Sequence, residues 1–359
     1  MKGNQMSRVK VAAAHVAPVF LDLQKTIDKV CSVIHQAAGN GANLIAFPET
    51  FVPAFPVWSA LRSPIYNHDV FLRLLANSIQ VKSGEMMRIR EAAKDNQLVV
   101  SLGFNETSAH SVATLYNSNI LIDRDGSILN HHRKIVPTFY EKLTWSAGDG
   151  AGLRVCETDV GHVGMLICGE NTNPLARYTM MAQAEQIHIS TYPPIWPTHG
   201  PDESRNYDLA HAIRLRAGAH SFEAKAFNVV ASGFMDKPMF DELSRLSSDA
   251  AAILEASPRS VSMITAPSGT SIADELCDDE GIVYAEIDLT DCVEPKQFHD
   301  ISGGYNRFDI FELKVNRTRQ RPASFTDAAQ EQCRSDDFDP RSSQSTDSSP
   351  AESPSGLRE

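Results

Sequence analysis

The sequence predicts an α/β layered fold with a mixed sheet or sheets. Three observations predict it: short apolar runs of strand length alternate with stretches of helical spacing, a β-α-β pattern opens the chain, and hairpin signals interrupt the alternation further on. Residues 9–16 (VKVAAAHV) read as a buried strand. Ile27, Val30, Cys31, Ile34, Ala37 and Ala38 then recur at helical spacing, and Gly39 and Gly41 stop the helix. The run NLIAFPET is a short strand halted by Pro48, so the first two strands are expected parallel with a right-handed crossover.

Residues 51–69 are rich in Pro, Phe and Trp and have no period, which marks a long loop, and long loops in compact domains often carry function. Helical spacing returns at 70–80 and 84–96. QLVVSLGF and LYNSNILID read as strands; DRDGS is a hairpin turn with Gly126 at a positive-φ position, and ILNHHRKIV pairs back. A second hairpin joins LRVCETD to HVGMLIC through Gly161. A helix at 174–184 with Pro174 in its first turn, the strand QIHIS, a helix over 203–226, and the strands FNVVASG, SMITAPSG and GIVYAEIDL complete the pattern. The expected organisation is a short N-terminal stretch (1–8), one domain (9–316), and a tail (317–359) of Ser, Asp, Pro, Arg and Gln too poor in apolar residues to fold alone.

The 359 residues are 42% hydrophobic, enough for a sizeable core, and a net charge of −12 argues against a nucleic-acid binder, which would show a basic patch. No apolar run reaches bilayer length and the N-terminus lacks the apolar stretch of a secretory signal, so a soluble, cytoplasmic protein is expected. Cys31, Cys156, Cys168, Cys277, Cys292 and Cys333 show neither C-x-x-C spacing nor zinc-finger partners, so neither a metal nor a disulfide framework is expected.

Three residues near strand ends could carry chemistry. Cys168 follows the run GMLI and stands just before a helix start, where the dipole would favour a thiolate. Glu49 stands beyond the strand of FPET, at the edge where ligands bind in α/β sheets. Lys134 closes HHRK, and a lysine between buried positions needs a partner. Taken singly, each has an ordinary explanation: a buried structural thiol, a solvated turn, an edge-strand charge.

Taken together they change the reading. FPETFVPAFPVW, HRKIVPTFYEKLTWSAGDG and GMLICGENTNPLARYTMMAQAEQIHIS resemble, in order, the glutamate, lysine and cysteine segments of the nitrilase family of carbon–nitrogen hydrolases. The resemblance spans residues 9–313. The stretches E-K-L-T-W-x-x-G-D-G and P-L-A-R-Y place it with the nitrilase branch proper, and CGENTNPLARY looks like the aliphatic type. It implies a four-layer αββα sandwich, a catalytic triad of Glu49, Lys134 and Cys168, a supporting Glu141, no cofactor, and a homodimer or larger spiral homo-oligomer. The implied activity is hydrolysis of a small-molecule nitrile to the acid and ammonia through a cysteine thioimidate and thioester. Alternatives kept beside it are an amidase or carbamoyl-amide hydrolase, a cyanide hydratase, a non-catalytic scaffold, and a thiol sensor with Cys156 as resolving partner.

The substrate pocket is expected from Phe55, Trp58, Gly169, Glu170, Asn171, Tyr192 and Trp196, on the ground that apolar and aromatic walls suit nitriles. Many relatives carry Trp after the cysteine and His two positions later, where this chain has Gly169 and Asn171, so the pocket should differ in shape. Gly304 stands where several relatives have a histidine and is given no role. His188 reads as a satisfied core histidine, and His131 and His132 as surface or edge residues.

Overall fold

The computed structural model describes residues 7–203 and 205–323. Residues 1–6 and 324–359, the latter holding Cys333 and most of the expected tail, lie outside the described residues. The chain runs β1 (Arg8–His15), α1 (Leu23–Gly39), β2 (Leu44–Ala46), α2 (His68–Ala76), α3 (Gly84–Asp95), β3 (Val99–Thr107), β4 (Leu115–Ile122), β5 (Ile128–Arg133), β6 (Cys156–Thr158) and β7 (Gly161–Ile167). It continues with α4 (Pro174–Met181), β8 (Ile187–Tyr192), α5 (Leu209–Ala224), β9 (Phe227–Ser232), α6 (Lys237–Leu243), α7 (Ala250–Ala256), β10 (Met263–Thr265), β11 (Gly281–Asp288) and α8 (Lys296–His299).

Two mixed sheets form, a six-stranded one in the order β11-β1-β2-β3-β4-β5 and a five-stranded one in the order β10-β9-β8-β7-β6. They pack face to face through alternate residues: Val9, Val11, Ala13, Leu44 and Val99 from the first meet Val163, Met165, Ile187, Ile189 and Val229 from the second. The intervening positions face helices. Ile27, Val30 and Ile34 of α1 and Ile89 of α3 cover Ala12, Ile45 and Val100. On the far side Ile213 and Ala217 of α5 cover Ile167 and Val230, and Ala176 and Met180 of α4 cover Leu166. The architecture is the expected αββα sandwich.

Local signals account for the elements. Asp22 caps α1 by accepting from Lys25 N, and Ser83 caps α3 through Met86 N. Asn173 caps α4 just before Pro174. The helix expected from residue 203 starts only at Leu209, because the Asp208 side chain accepts from His211 N and sets the start there. The helices α6 and α7, unassigned by the sequence reading, bury Met239, Leu243, Ala250 and Leu254 against Trp58 and Leu74 in a separate apolar cluster over the long loop. Arg319 and Gln320, beyond the expected domain end, bond Asp149. No helix among the described residues is long and apolar enough to cross a membrane.

This topology decides where the candidate residues meet. Strands β2 and β3 are parallel, while β3/β4 and β4/β5 are antiparallel. Hence β2 and β5 point the same way, and Glu49 and Lys134 leave the same end of the first sheet. Cys168 leaves β7 of the second sheet, so the three can meet only because the sheets stack.

Candidate active site

Glu49 is reached through a tight crossing. Phe47 N still bonds Ser101 O on β3 at 2.8 Å, and Val52 N bonds Gly103 O at 3.2 Å, so the segment between them arches over β3. Only glycine fits beneath: a Cβ on Gly103 would lie 2.2 Å from Pro48 O and 2.6 Å from Thr50 N. Gly103→Ala is expected to cost about 1–3 kcal/mol through backbone displacement, read as a lower midpoint of thermal unfolding. An unchanged midpoint would show that the arch is free to move.

Lys134 lies one residue past β5 and is only 1% exposed. Its Nζ donates to Glu49 Oε1 at 2.7 Å and to Glu141 Oε2 at 2.6 Å. Asn117 Nδ2 also donates to Glu49 Oε1, at 2.7 Å, and Thr138 N to Glu141 Oε2, at 2.7 Å. One carboxylate oxygen of Glu49, one of Glu141 and Sγ of Cys168 lie within 4.8 Å of one another. The side chains expected to converge therefore do so, in a setting closed to bulk water.

The electrostatics follow from burial. Desolvation raises the Glu49 carboxyl to about 7, with Glu141 adding to the rise and Lys134 opposing it. Burial opposes the charge on Lys134, but Glu141 and Glu49 outweigh it and hold the amine well above its ordinary value. For Cys168, burial and then Glu49 push the thiol up, against a smaller pull from Lys134. This corrects the expectation that a helix dipole favours the thiolate. A 3₁₀ turn, Cys168–Thr172, stands between the cysteine and α4, which begins at Pro174. The field of a helix fades within its first turn, and desolvation wins.

Strain collects at this cluster. Cys168 has φ 47°, Thr50 beside Glu49 has φ 44°, and Phe139 has φ 50°. Left-handed backbone is uncommon for residues other than glycine and clusters at working sites.

The expected pocket residues divide. Phe55 and Trp58 are 2% and 1% exposed and sit in the apolar cluster with Leu74 and Met239. They are core, with Phe55 set edge-on to Trp145 at 5.4 Å. Tyr192 packs in the same cluster as Cys168. Trp196 stacks on Tyr140 at 5.5 Å and meets Tyr207 edge-on at 5.4 Å. The Tyr140 hydroxyl, Trp196 Nε1 and Glu49 Oε2 are buried without a hydrogen-bond partner among the described residues. Tyr140 is the aromatic that the sequence reading missed; its place beside Glu141 in TFYEKLTW was the available signal.

Glu170 and Asn171 both hold the scaffold together, and Glu170 with Gly169 also lines the cleft beside the cluster. Glu170 accepts from Ile135 N and Ile167 N, both at 2.7 Å, and thus ties the residue after Lys134 to the residue before Cys168. It also pairs at 2.8 Å with His132, which stands on the edge strand β5 as expected but is fully buried rather than at the surface. His131 is likewise drawn inward, 2.8 Å from Glu106. Gly169 lies against Thr138, whose Oγ1 would be 2.8 Å from a Cβ added there. A cleft of about 310 Å³ runs past Thr138, Phe139, Gly169 and Ala176; none of Glu49, Lys134 or Cys168 lines it, so it flanks the cluster.

The chain matches known proteins in sequence and in fold. Residues 10–297 match the carbon-nitrogen hydrolase family. Over 316 residues the chain is 35% identical to Nitrilase 3 from an unknown prokaryotic organism, covering 87% of this chain and 92% of that one. It is 35% identical over 311 residues to an arylacetonitrilase of Hypocrea virens, covering 86% and 92%. Saccharomyces cerevisiae Nit3, a member of branch 10 of the nitrilase superfamily, superposes with a TM-score of 0.62 at 19% identity, covering 82% of this chain and 96% of that one. The chain belongs to the carbon–nitrogen hydrolase family and, within it, to the nitrilase branch.

Proposed function

We propose that this protein hydrolyses an organic nitrile to the carboxylic acid and ammonia, with Cys168 as nucleophile, Glu49 as base, Lys134 as the group that meets negative charge on nitrogen, and Glu141 as the partner that holds Lys134. One observation carries the reading: a thiol and two carboxylates lie within 4.8 Å of one another, and both carboxylates bind the same buried ammonium. The thiol is neutral at rest, so the thiolate forms only as its proton moves to Glu49, whose value near 7 suits a base at neutral pH. Sulfur attacks the nitrile carbon, and Lys134 supplies a proton to the nitrogen, giving a thioimidate. Glu49 hands the thiol's proton to the now neutral Lys134, 2.7 Å away, and can then take one from water. The resulting hydroxide adds to that carbon, Glu49 passes the water proton and then the hydroxyl proton to nitrogen, and ammonia departs to leave a thioester. A second water releases the acid and restores the thiol. Two of the three ammonium hydrogens of Lys134 are committed to Glu49 and Glu141, which leaves the third for the substrate.

The reading places this chemistry in one domain over 9–316 of a cytoplasmic protein; the free state of Cys31, Cys156, Cys168, Cys277 and Cys292 supports a reducing compartment. It also carries a homo-oligomer. Leu175 of α4 and Leu215 and Phe222 of α5 are 62%, 60% and 56% exposed, an apolar set that a second subunit would cover; sedimentation of the purified protein checks it. The thiol-sensor alternative finds no support: Cys156 pairs across from Val163, roughly 16 Å along β7 from Cys168 at strand rise.

A panel of aliphatic, arylaliphatic and aromatic nitriles, with their amides, tests the activity. Ammonia released from nitriles with acid as the main product supports the proposal. Turnover of amides alone would favour the amidase reading, and accumulation of amide from a nitrile the hydratase reading. The pH profile tests the base. Protonated Glu49 cannot accept the thiol's proton, so kcat/KM is expected to rise with pH through about 7. An acid limb at the ordinary carboxylate value would rule out Glu49 as the titrating base.

A further inference from the structure

Behind the Cys168 turn lies a second set of buried titratable groups that the reaction scheme leaves unused. Glu185, His188 and His220 are 1%, 0% and 0% exposed. His188 Nδ1 donates to Glu185 Oε1 and His220 Nε2 to Glu185 Oε2, each at 2.7 Å, and the two rings stack at 3.7 Å. His188 Nε2 donates to Asn171 Oδ1 at 2.9 Å, and Ser190 Oγ donates to the same oxygen at 3.1 Å. At its other end Asn171 Nδ2 donates to the carbonyls of Leu166 and Cys168, both at 3.2 Å.

The orientation of this chain is determined. An amide oxygen cannot face two carbonyl oxygens, so Nδ2 must point at Leu166 and Cys168 and Oδ1 at His188. His188 then faces an oxygen at each ring nitrogen. Both Glu185 oxygens and both His188 nitrogens are committed, which makes the set a hydrogen-bonded chain and not a cation cage. Its acid end stays ionised: burial opposes the charge, yet His188 and His220 bring Glu185 down to about 2.

We propose that Asn171, His188 and Glu185 form a brace that positions the nucleophile. Asn171 grips the backbone on both sides of Ile167, holds Cys168 at φ 47°, and so keeps Sγ at the Glu49–Lys134 pair. His188, anchored by Glu185, fixes the Asn171 amide. None of the three is a catalytic residue; each acts through Cys168. The inference rests on the nucleophile reading above and deepens it.

The test compares Asn171→Ala, His188→Leu, His188→Gln and Cys168→Ala. It measures ammonia release per titrated active site from a nitrile that the unsubstituted enzyme turns over, the rate of Cys168 alkylation by iodoacetamide, and thermal unfolding. Displacing a reacting group by about 1 Å costs on the order of 10²-fold. Asn171→Ala and His188→Leu are expected to lower kcat by that factor with KM little changed, and to slow alkylation in parallel. His188→Gln, which keeps a donor near the Nε2 position, should recover most of the loss. Folded Asn171→Ala and His188→Leu proteins with unsubstituted kcat and alkylation rates, or with a lowered unfolding midpoint alone, would overturn the brace. Should those variants fail to fold, Ser190→Ala removes one donor to Oδ1 with little change in volume; a several-fold drop in kcat supports the brace and an unchanged kcat refutes it. Ammonia release that survives Cys168→Ala would refute the nucleophile reading instead.

Discussion

Cys168→Ala should abolish ammonia release from every nitrile, by more than about 10⁴-fold, while leaving the fold intact. The size follows from the scheme. Without sulfur no thioimidate forms, and Glu49 and Lys134 have only water to activate against a group that resists it. The fold should survive because Ala fills most of the space of a buried thiol, whose Sγ has no scaffold hydrogen bond among the described residues. The unfolding midpoint is therefore expected to move by only a few degrees. Cys168→Ser is the stricter version: it keeps the shape and a proton for Glu49 but offers a poorer nucleophile, and should be nearly as inactive. A Cys168→Ala protein with substantial turnover would remove the thiol from the chemistry.

Lys134→Met should produce the largest loss of stability. The Lys134 side chain is fully buried and is the cation between Glu49 and Glu141. Removing one partner of a buried ion pair costs about 3–5 kcal/mol, because the other charge is left uncompensated; here two carboxylates are left. The deficit should depend on pH with a definite sign. Glu49 already binds its proton more tightly in the fold than its ordinary value of 4.5, and loss of Lys134, which pulls it down, raises it further. A carboxyl raised on folding costs stability as pH climbs from the unfolded value through the folded one. The part of the deficit that comes from Glu49 should be absent below about pH 7, open as pH climbs past it, and be full only above the variant's own higher value. Thermal unfolding of both proteins across that range checks it. If Lys134 were an ordinary edge-strand charge, the change would stay within about 0.5 kcal/mol at every pH.

The sequence revealed the parts that depend on local pattern. The period of Ile27, Val30 and Ile34 marked α1, and the halts at Pro48, Lys134 and Cys168 placed three reactive groups near strand ends. What remained hidden depends on register between distant segments. Asn117 reaches Glu49 across 68 positions, and nothing in LYNSNILID marks it out. Gly103 matters because the arch of Glu49 crosses it, a close approach that no single strand records. Glu170 and Asn171 follow Cys168 in sequence, but successive residues of a 3₁₀ turn point in different directions, and nothing local shows that these two bond His132 and His188. The thiol was misjudged for a related reason: local sequence showed a helix ahead and did not show the depth of burial, the larger of the two effects.

The account rests on a covalent bond between substrate carbon and Cys168, and its most direct test is to trap that bond. A slowly hydrolysed nitrile is mixed with the enzyme, the reaction is quenched in acid during turnover, and the peptides are weighed. The expected result is a mass increase equal to the thioimidate or acyl adduct, confined to the peptide that holds Cys168. Turnover accompanied by an adduct on a different residue would contradict the account.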